Sequence, residues 1–467
     1  MNRRFAIRSL GCKVSQYDAE RLGEMLTRLG LVPAGDTAAP DLFVLNSCSV
    51  TGRASQKGRQ ALRVARKQWP AARIVLAGCE TALLARTGET PAEADGLLPV
   101  NPTAEIVEAL LGQLGLLDQT WGSVPFGPAP AGQAPAGQAP AGQAPAGQAP
   151  AGQAPAGQAP AGEVPGGAPS GTGHDVGDRL SGGSRTRAFL KIQDGCNQFC
   201  SYCIVPHLRG RERSRSLDEV AAEGAILAGK GFREIVLTGI HLGRYEPGLV
   251  PVLRELERIE GLRRIRLSSI EPLEVPADLI DWLATSPAAC PHLHLPLQAG
   301  SDAILRAMNR PYTTAAFAEV VGRVRARLPG IGLTTDLIVG FPGETDGLFR
   351  ESLAFVERQR FSRIHIFRYS ARPGTPAAGF AGRVANAEKQ ARSKEVERVW
   401  KESAAAFHGS LVGREVEVLW ETCDGGWWQG FSREYVPCRC PGGARLEANA
   451  IAHHRVVAAS DDGVEVT

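Results

Sequence analysis

A run of short repeats divides the chain and limits where a hydrophobic core can form. Between Ala131 and Pro160 the pentapeptide AGQAP occurs six times, within a Pro- and Gly-rich stretch at 118–183. A period of five is neither the three of collagen nor the length of a solenoid repeat, and the repeats offer no large apolar side chain for burial. The stretch therefore predicts a disordered tether between folded regions at 1–117 and from 184 onward.

Composition and cysteine content are typical of an ordinary globular protein. The chain has 467 residues, 43% of them hydrophobic and 22% charged, and its net charge is +3. No apolar run reaches the roughly 18 residues of a membrane span, and the basic N-terminus lacks the apolar stretch of a secretory signal. Ten cysteines in such a chain favour metal-binding or catalytic thiols over disulfides, so we expect a cytoplasmic protein without membrane contact.

Three apolar runs in the first region each end at a cysteine. The runs FAIRSLGC, DLFVLNSC and RIVLAGC are typical of strands, and amphipathic stretches near 17–29 and 53–69 separate them. This alternation predicts a parallel sheet covered by helices at 1–117. Since sites in such sheets form beyond the carboxyl ends of the strands, we expect Cys12, Cys48 and Cys79 to share a metal site. Taken singly, each cysteine is more often a small buried hydrophobe.

The second of those amphipathic stretches is strongly basic. Residues 51–73 carry seven Lys and Arg side chains and no acidic one, with Arg59 and Arg63 near the middle. A solvated helix face is the usual explanation for such a run. Because it lies next to the expected metal site, we interpret it as a surface for nucleic-acid phosphate.

The region at 184–408 alternates between strands and helices six times. Its candidate strands are RAFLKIQD, REIVLTG, RRIRLSS, PHLHLPLQ, GLTTDLIVG and RIHIFRY. A complete TIM barrel has eight such units, so six predict an open (β/α)6 partial barrel. Its chemistry is expected at the carboxyl ends of the strands.

Three cysteines follow the first strand of this partial barrel, in the stretch GCNQFCSYC. Four thiolates would saturate a [4Fe–4S] cluster, whereas Cys196, Cys200 and Cys203 leave one iron open to another ligand. A zinc site with three protein ligands is the alternative. The spacing and its place after a barrel strand resemble the radical S-adenosylmethionine (SAM) enzymes. The resemblance implies that SAM binds the open iron and yields a 5′-deoxyadenosyl radical.

Polar and glycine residues recur where the later barrel strands end. Taken alone, each is an ordinary strand-end turn, but their order along one barrel predicts a SAM cleft. The candidate SAM-binding residues are Thr238, Gly239, Ser269, Glu271, Gln298, Asp336 and Gly340.

The last region, 409–467, reads as a small all-β barrel with Gly-rich turns. Its aromatic residues Trp427, Trp428 and Tyr435 stack on RNA bases in one interpretation and form the domain core in the other. From Lys401 onward there are six Lys and Arg residues against ten Asp and Glu, which disfavours a purely electrostatic contact with RNA.

The order of these regions resembles the methylthiotransferases, which are radical SAM enzymes. The resemblance covers nearly the whole chain outside the repeats. It implies a second [4Fe–4S] cluster at Cys12, Cys48 and Cys79, and it identifies the last region as similar to a TRAM domain that binds tRNA. The implied reaction replaces C–H by C–S–CH₃, with SAM as both radical source and methyl donor.

Within this family, GCKVSQYDAE, CNQFCSYCIVPHLRGRERSR and RLSSIEP resemble the branch that acts on N6-threonylcarbamoyladenosine in tRNA. That nucleoside lies directly 3′ of the anticodon, so the expected partner is a tRNA anticodon stem-loop. Alternatives are N6-isopentenyladenosine, a ribosomal protein, or a non-catalytic RNA-binding iron–sulfur protein. An electron donor and a sulfur source are implied but unidentified, a monomer is expected, and no catalytic residue beyond the cluster cysteines is assigned.

Four arginines follow the cysteine loop at alternate positions. Since Arg offers a planar bidentate fork, we expect some of them to contact substrate or RNA phosphate; the alternative is a solvated loop. They are Arg209, Arg211, Arg213 and Arg215.

Overall fold

The computed structural model describes residues 3–35, 38–117, 186–443 and 445–467, so the predicted tether lies outside the described residues. Within these ranges no helix combines the length and apolar composition needed to cross a bilayer.

The N-terminal elements form a five-stranded parallel sheet with helices, as predicted. They are β1 (Arg4–Leu10), α1 (Lys13–Arg28), β2 (Val32–Pro33), β3 (Leu42–Ser47), α2 (Gly52–Gln68), β4 (Arg73–Ala77), α3 (Cys79–Thr87), β5 (Gly96–Leu97) and α4 (Ala104–Gln113). The strand order is β2-β1-β3-β4-β5, with every pairing parallel. All of β3 is buried, as a central strand covered on both faces should be.

The middle elements form an arc of six parallel strands. They are β6 (Arg187–Lys191), β7 (Gln193–Asp194), α5 (Val205–Arg209), β8 (Arg213–Ser214), α6 (Leu217–Gly229), β9 (Glu234–Thr238), α7 (Leu249–Leu256), β10 (Arg264–Leu267), α8 (Ala277–Thr285), β11 (His292–His294), α9 (Asp302–Ala307), α10 (Thr314–Arg327), β12 (Gly332–Val339), α11 (Asp346–Gln359), β13 (Arg363–Arg368) and α12 (Asn386–Gly409). Two parallel sheets, β10-β9-β6 and β11-β12-β13, are joined by the bridges Ile265–Ala289 and Ser269–His294. The predicted six-unit partial barrel is therefore confirmed.

The C-terminal elements close into a five-stranded barrel, the β-domain. They are β14 (Glu415–Asp424), β15 (Trp427–Ser432), β16 (Pro437–Pro441), β17 (Ile451–Ala459) and β18 (Val464–Val466), in the order β14-β15-β16-β18-β17. Its core surrounds the fully buried Trp420. Closure leaves no free sheet edge, which confirms the predicted small all-β barrel.

Buried charges attach the β-domain to the N-terminal ends of the partial-barrel strands. Arg264 and Arg266 open β10 and are 0% and 1% exposed. Their guanidinium groups lie 3.4 and 2.7 Å from the Glu234 carboxylate, and Arg264 also binds Glu417 of the β-domain at 2.7 Å. Arg266 donates to the carbonyl oxygen of Ser432 at 3.2 Å. The β-domain therefore covers the base of the partial barrel, opposite the strand ends at which the cysteine loop lies.

The expectation that Tyr435 stacks on RNA bases is wrong. Its ring stacks on Phe431 at 5.0 Å and lies 4.8 Å from the ring of His292 in β11. The guanidinium groups of Arg187 and Arg266 lie over the same ring at 5.6 and 4.9 Å. Tyr435 is thus inserted into the base of the partial barrel, where its ring is already covered.

The other two candidate aromatic residues have separate environments. Trp428 is half-buried and packs against the β-domain core, which agrees with the structural interpretation of this side chain. Trp427 is half-buried on β15, with the Arg439 guanidinium 5.0 Å from its ring. A contact between Trp427 and RNA remains a prediction.

Candidate active site between two cysteine clusters

Three parallel strands deliver the N-terminal cysteines to one sheet edge. Cys12 follows β1 and caps α1, Cys48 follows β3, and Cys79 opens α3 directly after β4. Strands β1, β3 and β4 are neighbours in the sheet. The turn before Cys79 needs Gly78, which has φ +88° and whose added Cβ would lie 2.2 Å from Asn46 Oδ1. The sequence pattern therefore brings three thiols to one end of the sheet.

These three thiols interact with one another. Burial raises the pKa of Cys48 to about 12, and the neighbouring Cys12 and Cys79 thiols raise it further. Burial also raises the pKa of Cys79. Thiols that resist ionisation individually become thiolates when a metal centre supplies positive charge, because ligation releases their protons.

A serine beside Cys48 also fits a bound cluster. Ser47 and Ser49 are fully buried, and their hydroxyl groups have no hydrogen-bond partner among the residues that the structure describes. Ser47 Oγ lies against α2, 2.4 Å from the place of a Cβ added at Gly58. Buried hydroxyls normally find a partner, and the sulfur atoms of an iron–sulfur cluster would accept such a hydrogen bond from Ser49. The donor set and its surroundings are therefore consistent with a cluster held by three cysteines.

The second cysteine site follows the first strand of the partial barrel. Burial raises the pKa of Cys203 to about 12, and the Cys200 and Cys196 thiols add to this rise. Burial also raises the pKa of Cys200, against the lowering effect of Arg310, whose Nη1 lies 3.3 Å from Cys200 Sγ. Three mutually close thiols after strand β7 match the expected ligand set for a [4Fe–4S] cluster with one open iron.

The two cysteine sites lie close together in the fold. Cys79 packs in one buried cluster with Ile204 and Leu208, and Ile204 is the residue after Cys203. Helix α5 then runs from Val205 to Arg209 and packs against α3. One short helix therefore links the loop of one site to a ligand of the other.

Arg209 completes this link, and its predicted contact with substrate or phosphate is wrong. Its side chain is 1% exposed, and its Nε donates to Cys79 Sγ at 3.3 Å. Its other nitrogens bind the carboxylates of Asp18 at 2.8 Å and Asp194 at 3.1 Å. Lys191 binds both carboxylates as well, at 2.5 and 3.1 Å. Because its guanidinium nitrogens already bind groups inside the protein, Arg209 is unavailable to RNA.

The remaining arginines of the loop divide into internal and exposed ones. Arg215 is half-buried, with its guanidinium 2.8 Å from Glu223 and donating to the carbonyl of Lys191. These internal contacts make Arg215 less available than an exposed arginine, and its contact with RNA remains a prediction. Arg211 and Arg213 are exposed and stay candidates for phosphate contact.

The two arginines predicted on α2 are accessible. Arg59 and Arg63 have side chains 53% and 71% exposed, with Glu80 at 3.5 Å and Glu93 at 3.3 Å as their respective ion-pair partners. The Arg63–Glu93 pair is solvent-exposed and contributes little, whereas Glu80, the partner of Arg59, is buried. A contact between these arginines and tRNA phosphates remains a prediction.

Most candidate SAM-binding residues lie where the strands end. Thr238 is the last residue of β9 and Gly239 follows it, Ser269 and Glu271 follow β10, Gln298 follows β11, and Gly340 follows β12 with φ +71°. Asp336 differs because it lies within β12, four residues before Gly340. Its Oδ1 is 3.3 Å from His294 Nε2 in the interior of the arc, the lumen.

Two side chains at the second cysteine site were not singled out from the sequence. Arg310 joins Cys200 to the candidate Glu271, with which it forms an ion pair. His241 Nδ1 lies 3.6 Å from Cys196 Sγ, and its ring nitrogens lie 2.9 Å from Glu212 and 3.0 Å from Glu274. His241 lies two residues after the strand-end Gly239, and this position in the sequence could have identified it as a site residue.

Comparison with known proteins agrees with this geometry. The model of the radical SAM superfamily matches residues 190–356, and that of the uncharacterized protein family UPF0004 matches residues 4–95. A solved structure of TsrM, a radical SAM methyltransferase from Kitasatospora setae with cobalamin and a [4Fe–4S] cluster bound, superimposes with a TM-score of 0.51. That alignment covers 81% of this chain and 77% of TsrM at 18% identity, so it supports the fold alone.

Curated relatives extend the match over almost the whole chain. The threonylcarbamoyladenosine tRNA methylthiotransferase MtaB of Thermotoga maritima is 32% identical over 98% of this chain and 95% of its own length. MtaB of Bacillus subtilis is 33% identical over 92% and 89%. The tRNA-2-methylthio-N(6)-dimethylallyladenosine synthase of Maricaulis maris is 32% identical over 90% and 87%.

The partial barrel and its three-cysteine loop define a radical SAM enzyme, and membership of this class implies [4Fe–4S] clusters and SAM as cofactors. The additional N-terminal domain and the sequence identity over nearly the full length narrow this class of enzymes to one family. The chain belongs to the radical SAM methylthiotransferase family.

Proposed function

We propose that this enzyme converts N6-threonylcarbamoyladenosine, next to the anticodon of tRNA, to its 2-methylthio derivative. One SAM serves as the radical source and another as the methyl donor. The named activity of the Thermotoga and Bacillus relatives supports this substrate, since the alignment to the former spans 98% of this chain. We further propose that the enzyme acts in the cytoplasm as a monomer, with an external electron donor and sulfur source.

The observation that carries the proposal is the proximity of the two three-cysteine sites. Cys79 of the N-terminal site packs against Ile204, beside Cys203 of the barrel site. A radical enzyme that needed SAM cleavage alone would require one cluster. Two adjacent cysteine sites suit a reaction in which a C–H bond is cleaved and sulfur is then delivered to the same carbon.

The chain's own residues hold and tune these centres. Cys196, Cys200 and Cys203 would hold one cluster, the one at which SAM is expected to bind, and Cys12, Cys48 and Cys79 would hold the other. When bound, the clusters and SAM supply the radical and sulfur chemistry. Buried cationic donors, Arg310 at Cys200 and Arg209 at Cys79, stabilise negative charge on the thiolate sulfurs.

The remaining candidate residues have proposed binding roles. Thr238, Gly239, Ser269, Gln298 and Gly340 lie around the carboxyl ends of the strands, where SAM is expected. Glu271 belongs to this set through its ion pair with Arg310. For tRNA, the proposed contacts are the exposed Arg59, Arg63, Arg211 and Arg213 together with Trp427.

Mass spectrometry of nucleosides from total tRNA tests the proposal in cells with and without the gene. The expected result is loss of 2-methylthio-N6-threonylcarbamoyladenosine and accumulation of its precursor. Complementation with the native gene should restore the product, whereas a Cys200→Ala gene should not. Loss of the isopentenyl product instead would move the substrate to the one named for the Maricaulis relative. If neither nucleoside changed, the assignment to the tRNA nucleoside next to the anticodon would fail.

A further inference from the structure

One face of strands β11, β12 and β13 carries polar side chains into the lumen. Side chains alternate between the two faces of a strand, and Leu293 and Ile364 belong to the hydrophobic core that the helices cover. The next residues along these strands, His294 and His365, therefore face the lumen. Asp336 on β12 is the register partner of His365 and shares its face. Three adjacent strands thus deliver two imidazoles and one carboxylate to one place.

These three side chains converge. One ring nitrogen of each histidine and one carboxylate oxygen all lie within 4.8 Å of one another. His294 Nε2 is 3.3 Å from Asp336 Oδ1, and the ring centroids of His294 and His365 are 5.6 Å apart. Ligand atoms that bind one tetrahedral ion at about 2.1 Å lie about 3.4 Å from one another. The His294–Asp336 pair already has this separation, and side-chain rotation of His365 would supply the rest.

The hydrogen bonds behind His294 leave its Nε2 as a ligating atom. His294 Nδ1 lies 2.9 Å from Thr334 Oγ1, which is also 3.0 Å from His292 Nε2. When the Thr334 hydroxyl donates to His292, its oxygen accepts the Nδ1–H of His294. The lone pair of Nε2 then points at the Asp336 carboxylate, and two acceptors repel each other unless a cation lies between them. A hydrogen bond that fixes the tautomer of a ligating histidine is a regular feature of metal sites.

His365 distinguishes a metal ion from a proton at this place. A proton would join His294 to Asp336 and leave His365 without a role. Within the described part of the chain, no hydrogen bond or ion pair engages the ring nitrogens of His365, although its ring lies beside the other two groups. His365 is exposed and the Asp336 side chain is 24% exposed, so both are open to the lumen. A third convergent ligand with open space beside it suits a metal ion.

We propose that His294, Asp336 and His365 bind a divalent transition-metal ion, in a site separate from both cysteine sites. Two imidazoles and one carboxylate suit Zn²⁺, Mn²⁺ or Fe²⁺, and three protein ligands leave a coordination position open to the lumen. Asp336 lies four residues before Gly340, about 13 Å along the strand at roughly 3.3 Å per residue. The ion therefore lies below the strand ends at which SAM is expected, and Asp336 serves the ion instead of SAM.

The test titrates Mn²⁺ into the full-length protein with both clusters reconstituted anaerobically. Electron paramagnetic resonance counts free Mn²⁺, and spin-echo modulation detects histidine nitrogen bound to the ion. Mn²⁺ prefers oxygen and nitrogen ligands over thiolates, so it does not report on the cysteine sites. The variants His365→Gln and Asp336→Asn each remove one ligand and keep a polar side chain. The matched control is His453→Gln, an exposed histidine of the β-domain that lies 3.1 Å from the Glu415 carboxylate.

We expect native protein and His453→Gln to bind one Mn²⁺ per chain, with coupling to histidine nitrogen. His365→Gln and Asp336→Asn should each weaken this binding by at least about tenfold, with unchanged iron content. Because His365 is exposed, its replacement should also leave the melting temperature unchanged, which separates loss of a ligand from unfolding.

Three results would overturn the inference. They are the absence of saturable Mn²⁺ binding to native protein, native affinity in His365→Gln, and loss of binding in His453→Gln, which would place the ion in the β-domain. Loss of cluster iron in His365→Gln would overturn it as well, because the histidine would then support a cluster. Since no step of the test uses tRNA, its outcome is independent of the proposed function.

Discussion

Replacing Arg209 by Met should destabilise the junction between the two cysteine sites. Arg209 is 1% exposed and lies between the carboxylates of Asp18 and Asp194, which are 10% and 9% exposed. Without it, two buried carboxylates share Lys191 as their cationic partner. Removing one member of a buried ion-paired group typically costs about 3–5 kcal/mol, because the charges left behind stay desolvated. We therefore expect a loss of that size in the free energy of unfolding.

Chemical denaturation of the full-length protein measures this loss, and hydrogen exchange of α1 and α5 amides locates it. Local exchange matters because a multidomain chain need not unfold in one step. The matched control is Arg213→Met, four residues away, whose exposed guanidinium reaches the Arg209 carbonyl at 3.4 Å. That variant should change the free energy by at most about 0.5 kcal/mol. If Arg209→Met costs no more than the control, the reasoning from buried charge is refuted.

The same network predicts how stability depends on pH. Burial raises the pKa of Asp194, but Arg209 and Lys191 outweigh it and hold the value at about 2. A carboxyl whose folded pKa lies below its unfolded value of about 4 stabilises the fold above that unfolded value. The stabilisation is lost as the pH falls toward 2. In Arg209→Met the folded pKa of Asp194 rises, so acid unfolding followed by circular dichroism should begin at higher pH than in native protein.

Three further perturbations have defined outcomes. Replacing Cys196, Cys200 and Cys203 together by Ala should roughly halve the iron content and abolish 5′-deoxyadenosine formation; complete loss of iron would count against two independent sites. Glu234→Gln should lower the free energy of unfolding by about 3 kcal/mol, because two buried arginines lose a shared carboxylate. The measurement is the melting temperature, and an unchanged value would disprove the role of this network in attaching the β-domain. Deleting 131–160 should leave kcat/KM for tRNA within about twofold, whereas a large loss would contradict the tether interpretation.

Much of the fold was predictable because its signals are local. Each apolar run that ended in a cysteine became a strand followed by a candidate cluster ligand, since parallel strands place their carboxyl ends at one edge. The six barrel strands were recognisable for the same reason. The structure contains the strands and loops that could be predicted from sequence patterns of about ten residues.

The roles of individual polar residues were less predictable because distant partners decide them. Arg209 and Arg211 have the same local surroundings in sequence, yet Arg209 is buried by Asp18, which is 191 positions away. Tyr435 was expected to stack on RNA bases or to lie in the β-domain core, but its environment is set by Arg187, Arg266 and His292 of the partial barrel. No local pattern distinguishes such residues from ones that face solvent.

The covered base of the partial barrel has a consequence for the order of events in turnover. With the β-domain across the N-terminal ends of the strands, the lumen is covered on that side, so small molecules would enter from the carboxyl-end face, where we propose that RNA docks. If each product consumes two SAM molecules, as proposed, methionine and 5′-deoxyadenosine from the first and S-adenosylhomocysteine from the methyl donor would leave through that same face. Bound RNA would block this exit, so each catalytic cycle would include a step in which the RNA dissociates. Turnover would then be limited by release of the RNA rather than by the chemical steps.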